Sequence, residues 1–311
     1  MNLQQLEYII AVDNYRHFLR ASQACNVTQA TLSMMIKKLE EELNEVIFDR
    51  SKQPVVPTAV GEKIIAQSRR IINEARYLKE MLQLEKGEIS GTLKVGIIPT
   101  VAPYLLPLFL RKLGQDYPKL SLSIYEFTTD TLVQKLKSGE IDVGILSTPL
   151  HTKAIHETVL YYEKYFLYVN ENEPQYNKKY ILPEHIDLDK LWLLEEGHCL
   201  RNQILNLCEL KKQSHIRHAV NYEAGSIETL INLVDNNYGL TIIPELAAQK
   251  LSKKQQHQIK SFRGPVPVRE ISLVTHQPYV KERLIGILKE IILSCIPRQM
   301  QQKSNVLVLE N

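Results

Sequence analysis

Apolar positions at the start of the chain follow helical spacing. Leu3, Leu6, Ile9, Ile10 and Val12 form one stripe, and Phe18, Leu19, Ala21, Ala24 and Cys25 form a second. Asn26 and Val27 make a short turn. Thr28 then stands where an N-cap belongs, its hydroxyl free to accept from the amides of the next turn. The pattern predicts a third helix from Gln29 to Leu43, with Leu32, Ile36, Leu39 and Leu43 on its buried edge. Two helices joined by a tight turn, the second opening on small and polar residues, match a helix-turn-helix. In that motif the second helix lies in the DNA major groove. Its outward face presents Gln29, Ala30, Ser33 and Lys37. Gln and Ser read base edges, Ala touches a thymine methyl, and Lys meets base or phosphate. Arg50-Ser51-Lys52-Gln53-Pro54 reads as a basic wing before Val55 and Val56 return to the core. A plain three-helix bundle with a solvated polar face is the alternative, since Glu40, Glu41, Glu42 and Glu45 nearly cancel the bases.

From Thr58 to about Glu88 the pattern becomes one long amphipathic helix, with Val60, Ile64, Ile71, Ala75, Leu78 and Leu82 on its apolar side. At ~1.5 Å per residue it spans roughly 45 Å. Pairing with the same helix of a second subunit is the simplest way to bury that stripe. Folding back on its own domain is the alternative. Gly87, Ser90 and Gly91 mark a hinge-like linker. Beyond it, strand and helix alternate. Strands are expected at Leu93–Ile98, Leu120–Phe127 and Val143–Leu146, with helices at Tyr104–Gln115 and Leu132–Ser138 between them. Further strands are expected near Val159–Val169, Leu191–Leu194, Ile216–Tyr222, Leu240–Ile243 and Ile271–Thr275. Helices are expected at Ile227–Asn236 and Val280–Ile296. Alternation of this kind is a parallel-sheet pattern. Two such blocks predict two small α/β subdomains with a ligand-binding cleft between them.

Composition narrows the class. With 311 residues the chain is long enough for two or three domains. No apolar run approaches the ~20 residues of a membrane helix. The start, Met1 to Glu7, has neither a basic segment nor a cleavable apolar one, so a cytoplasmic location is expected. Thiols there are kept reduced, which makes a lasting disulfide unusual and leaves a transient redox use. The four cysteines show no metal spacing, and no metal or cofactor is expected. A net charge of +3 does not by itself indicate a nucleic-acid partner. No phosphate loop, nucleophile elbow or metal-spaced histidine pair appears, so no enzyme class is favoured.

One segment carries candidate chemistry. Gly197-His198-Cys199-Leu200-Arg201 places a cysteine between two potentially cationic side chains, and Cys208 follows nine residues later. Positive charge lowers a thiol pKa toward the reactive thiolate, a role open to His198 and Arg201. If residues 200 to 207 are helical, the two cysteines stand roughly 13 Å apart at ~1.5 Å per residue. A disulfide needs Cα atoms within about 7 Å, so joining them would unwind the segment. Spacing alone favours two small buried thiols instead. Pro99-Thr100-Val101 follows the first expected strand, and Thr128 and Thr129 follow the second. The carboxyl ends of parallel strands are where such folds place ligands, and hydroxyls there suit a small neutral one.

Taken together, these residues resemble the LysR-type bacterial transcription regulators over essentially the whole chain. The signature runs from Phe18 to Ser33, through Ile36 to Leu43, then Phe48-Asp49-Arg50 and Thr58-Ala59-Val60-Gly61. Within that family the chain is similar to the peroxide-responsive branch. Leu193 to Gln203 with Cys208, Ile98 to Pro107, and Ser226 to Leu230 carry this closer likeness. The implied fold is α/β. A winged helix-turn-helix (1–58) and a linker helix with its hinge (59–90) precede a periplasmic-binding-protein-like regulatory domain (91–311). That domain has subdomain I at about 91–161 and 268–311, and subdomain II at about 162–267. The resemblance implies promoter-DNA contacts from Thr28, Gln29, Ala30, Thr31, Ser33, Lys37, Arg50 and Lys52. It implies a dimer of dimers, contact with RNA polymerase, and hydrogen peroxide as the signal. Cys199 would be peroxidatic and Cys208 resolving, with a cellular dithiol as reductant. Thr100, Thr129, His198, Arg201 and Arg269 would support the pocket. Gln53, Ala30 and Asn221-Tyr222 depart from the family pattern. The alternatives are a LysR-type regulator sensing a metabolite in the cleft, or a thiol-dependent peroxidase.

Overall fold

A computed structural model describes residues 1–84, 89–150, 152, 155–195, 197–207, 224–236, 239–276, 281–303 and 306–309. They form two compact units, one of Met1–Ser90 with Lys137–Glu140, the other of Gly91–Leu136 with Ile141–Asn311.

The first unit begins with α1 (Leu3–Tyr15), fixed by a capping box in which Asn2 and Gln5 each bond the other's backbone N–H at 2.9 Å. Then come α2 (Phe18–Ala24), α3 (Gln29–Leu43), a two-stranded antiparallel wing of β1 (Phe48–Asp49) and β2 (Val56–Pro57), and α4 (Ala59–Leu84). Leu6, Ile9, Val12, Ala21, Leu32, Ile36, Leu39, Ile47 and Phe48 are its core. Gly61 is required where α4 passes the wing, because a Cβ there would stand 2.0 Å from the Ile47 carbonyl oxygen. Four expected core positions are corrected: Leu3 and Leu19 lie 48% and 46% exposed, and Ala24 and Leu43 also face out. Each sits at an element's edge, beyond the width of the packed stripe.

The linker helix is 26 residues, about 39 Å at ~1.5 Å per residue. Its N-terminal half folds back on its own unit. Ile65, Ser68 and Ile72 are buried, and Arg69 pairs with Asp13 at 2.8 Å and bonds Asn14 at 2.6 Å. Val60 and Leu78, expected on the packed stripe, are exposed. Burial therefore follows Ile65 and Ile72, one position round the helix from the Ile64 and Ile71 expected to lead it.

The second unit holds β3 (Gly91–Ile97), α5 (Ala102–Asp116), β4 (Leu120–Glu126), α6 (Thr129–Lys137), β5 (Val143–Thr148), β6 (Ile155–Val169), β7 (Tyr180–Ile181) and α7 (Cys199–Leu207). After these come α8 (Ile227–Asn236), β8 (Leu240–Pro244), α9 (Glu245–Ala248), α10 (Lys253–Gln256), β9 (Ile259–Phe262), β10 (Val266–His276), α11 (Glu282–Cys295) and β11 (Val306–Val308). The sheet order is β4-β3-β5-β10-β6-β9-β7, with β8 also on β6 and β11 on β10. β3 runs parallel to β4 and β5, as expected, but β10 is antiparallel to both β5 and β6. The long strand β6 links the two halves: Ile155–Lys164 pairs with β10, and Tyr165–Val169 with β8. Leu191–Leu194, expected as a strand, makes only isolated bridges, Leu191 to Leu240 and Leu194 to Ala224. The strand expected at Ile216–Tyr222 lies outside the described residues. Among the described residues no helix is long and apolar enough to cross a membrane.

Candidate functional site

Cys199 opens α7, and its side chain is 5% exposed. Packing of Leu200, Ile204 and Leu207 sets the helix against the core. Gln203, one turn after Cys199, is fully buried and locks the helix in place. It accepts from the Tyr165 hydroxyl at 2.5 Å and donates to Ser147 Oγ at 2.9 Å and the Leu309 carbonyl at 3.1 Å. Gly197 turns the chain into the helix with φ +93°, a left-handed conformation that glycine adopts without strain.

Strands from distant sequence bring the other groups together. Arg269 on β10 lies directly opposite Glu163 on β6, and both are fully buried. The guanidinium donates to Glu163 through Nε at 2.8 Å, to Thr100 Oγ1 through Nη1 at 3.0 Å, and to the Thr100 carbonyl through Nη2 at 3.1 Å. Thr100 sits in the turn between β3 and α5, where parallel strands end. Thr129 opens α6, and its buried hydroxyl oxygen has no hydrogen-bond partner among the described residues.

Two opposed effects set the state of the Cys199 thiol. Burial raises its pKa, and this is the larger effect. The Arg269 charge, the Thr129 hydroxyl and the backbone N–H groups of Leu200 and Cys199 pull it back down. The amides act as a helix N-terminus acts on any nearby anion.

This corrects the expected source of charge. His198 is buried but turned to Glu195 at 3.6 Å, and Arg201 donates to the Leu194 carbonyl at 2.7 Å. Arg269, seventy residues on in sequence, supplies the positive field instead. Spacing near Cys199 could not find it; the family resemblance named it, and it stands on β10 opposite Glu163 of β6. Glu163 and Gln203 were not anticipated, and a lone buried Glu or Gln in an apolar run was the only signal. Cys208 and Asn221-Tyr222 lie outside the described residues.

The helix-turn-helix residues share one face. Thr28 caps α3, accepting from the Thr31 amide at 3.1 Å. Thr28, Gln29, Ala30 and Lys37 are exposed, and Thr31 and Ser33 half-exposed. Met34, unforeseen, stands 53% exposed between them at the same helical spacing. The wing bases are less free than expected. Arg50 is braced by Glu40 at 2.8 Å and lies over the Phe18 ring at 5.3 Å, and Lys52 stands 3.8 Å from Asp49.

Comparison with known proteins matches residues 3–62 to the bacterial regulatory helix-turn-helix protein, lysR family, and residues 86–291 to the LysR substrate binding domain. The hydrogen peroxide-inducible genes activator of Haemophilus influenzae is 37% identical over 277 residues, covering 88% of this chain and 90% of that protein. The DNA-binding transcriptional dual regulator OxyR of Escherichia coli is 36% identical over 274 residues, 88% of this chain and 89% of that protein. Among solved structures, a full-length OxyR of Pseudomonas aeruginosa with a Cys-to-Asp substitution matches with a TM-score of 0.80 at 32% identity, covering 95% of this chain and 99% of that one. The chain belongs to the LysR family of bacterial helix-turn-helix regulators, within its OxyR branch.

Proposed function

We propose that this protein is a peroxide-sensing transcription factor that binds promoter DNA through α3 and its wing and is switched by oxidation of Cys199. The observation that carries the reading is one buried thiol at a helix N-terminus on which Thr129 and the charge of Arg269, itself bonded to Thr100, both act. A small neutral oxidant suits such a site, because a larger or charged ligand would lose hydration that so few donors cannot replace.

The chemistry balances as follows. The Cys199 sulfur, as thiolate, attacks one peroxide oxygen and the O–O bond breaks. The other oxygen leaves as hydroxide and takes up the thiol proton to become water. Cys199 is then a sulfenic acid. Thr100 Oγ1 accepts from Arg269, which leaves its own O–H to donate to a peroxide oxygen, and the Thr129 hydroxyl, which already favours the thiolate, would donate beside the sulfur. The Cys208 thiol would next attack the sulfenic sulfur, releasing a second water and closing a disulfide that a cellular dithiol reopens.

α7 makes that second step a conformational switch. From Cys199 to Leu207 the helix spans about 12 Å at ~1.5 Å per residue. The next Cα lies ~3.8 Å further along the chain at most, so it stays beyond the about 7 Å that a disulfide tolerates while α7 is helical. Closure therefore requires α7 to unwind. The full switch, in this reading, acts in a dimer of dimers and changes how RNA polymerase is engaged.

A Cys199→Ser variant tests the proposal. Wild-type protein should change its promoter footprint on addition of peroxide, and the variant should keep the reduced footprint at every dose. A peroxide-dependent footprint in the variant would rule out Cys199 as the sensor.

A further inference from the structure

Arg269 has five N–H donors in a fixed plane, and their partners can be counted. Nε and one side of Nη2 face Glu163 Oε2, both at 2.8 Å. The other Nη2 hydrogen goes to the Thr100 carbonyl at 3.1 Å, and one Nη1 hydrogen to Thr100 Oγ1 at 3.0 Å. Among the described residues one donor is left without a partner, the second hydrogen of Nη1, on the guanidinium edge away from Glu163. A fully buried donor without a partner is costly, so its place calls for an acceptor. Glu163 is itself pinned, since its second oxygen accepts from the Leu246 amide at 2.8 Å where α9 begins. Both carboxylate oxygens are therefore committed, and neither can rotate without breaking a buried bond.

We propose that Glu163 is a positioning residue of the thiol site, holding the guanidinium of Arg269 so that its one uncommitted N–H serves the atoms reacting at Cys199. This rests on the proposed peroxide chemistry but adds a residue that does not itself touch peroxide. The titratable groups facing the pair are Tyr161 and Tyr165 on the same side of β6, Glu245 on α9, Cys199 on α7, and Tyr104 on α5, whose hydroxyl bonds Glu228 on α8. The carboxylate is the only acid directly paired with Arg269 among the described residues. Thr100 alone cannot fix the guanidinium, because its two contacts occupy one edge and leave the arginine free to pivot about them.

The test compares wild type, Glu163→Gln, Arg269→Gln and the double variant in the full-length protein. Two readouts are followed by peptide mapping of Cys199: its rate of oxidation by peroxide, and the pH profile of its alkylation by iodoacetamide. Glu163→Gln should slow oxidation about tenfold or more, the scale of effect expected when a reacting group is misplaced. Its alkylation profile should shift to higher pH as Arg269 loses its hold. A general loss of stability would not move that profile. In the Arg269→Gln background, Glu163→Gln should have no further effect on either readout, since Glu163 acts only through Arg269. That double variant buries no lone charge, so it keeps the test open if the single variant fails to fold. Wild-type rate and profile in Glu163→Gln, a profile shifted to lower pH, or additive effects in the double variant would each overturn the proposal. Failure of wild-type Cys199 to react with peroxide would instead sink the peroxide reading, while the alkylation profiles would still report on Glu163.

Discussion

At the scale of single residues, the Cys199 site balances desolvation against one well-held charge. An isolated buried thiol strongly resists ionisation, and Arg269, Thr129 and two backbone amides recover part of what burial removes. The net direction is upward, so most molecules hold a protonated thiol at neutral pH. The sign of the pH dependence follows. The thiolate is the nucleophile, and its fraction grows about tenfold per pH unit below the pKa. The logarithm of the peroxide rate should therefore climb with a slope near one across neutral pH, without levelling until above the ordinary thiol range. Stopped-flow oxidation measured over that span checks this; a plateau already reached at pH 6 would show a thiol held below its ordinary value. Much of the site was legible as residue types. Cys199 was visible from its flanking Gly and cations, and Thr100 and Thr129 from their place after strands. The local pattern pointed to the wrong cations, since His198 and Arg201 turn to Glu195 and the Leu194 carbonyl, and Arg269 was named only through the family resemblance. Arg269 reaches the thiol only through strand pairing, which has no local signature.

At the scale of elements, α7 is a nine-residue helix whose stability comes from tertiary bonds more than from its own length. Gln203 joins it to β6 through Tyr165, to β5 through Ser147, and to the chain just after β11 through Leu309. Gln203→Leu keeps the volume and removes these three bonds. A buried hydrogen bond contributes about 0.5–1.5 kcal/mol net, so the reduced protein should lose about 2–3 kcal/mol in denaturant unfolding. A change within about 0.5 kcal/mol would mean that α7 is held by its apolar face alone. Elements of this kind divide clearly by how far their sequence announces them. Ile227–Asn236 was read to the residue, since its apolar positions recur at helical spacing over the whole of α8. β7, β9 and β11 are two to four residues long, too short for any period to show. Leu191–Leu194 has the apolar run of a strand but finds only single bridges, because Leu240 and Ala224 meet it at separate points.

At the scale of the whole molecule, two units divide the work. In the first, α3 presents Gln29, Ala30, Ser33, Met34 and Lys37 as a face of mixed polar and apolar groups, with net charge kept low by neighbouring acids. In the proposed reading, recognition by such a face would lean on base-edge contact, while Arg50, braced by Glu40, would fix the wing as much as meet phosphate. In the second, a mixed sheet with long shared strands β6 and β10 holds Arg269 and Glu163 at its centre. Helical modules and the order of strands and helices were readable from periodicity. The antiparallel entry of β10 was not, since strand direction depends on which distant run it meets. The central claim is that peroxide links Cys199 to Cys208 by way of a single oxidised thiol. The most direct measurement is intact-mass analysis with peptide mapping of the reduced full-length protein after a brief, near-stoichiometric pulse of peroxide. The expected result is the loss of two hydrogens per chain and one crosslinked peptide joining Cys199 to Cys208. Thiols left unmodified at that dose, or a crosslink that omits Cys199, would contradict it.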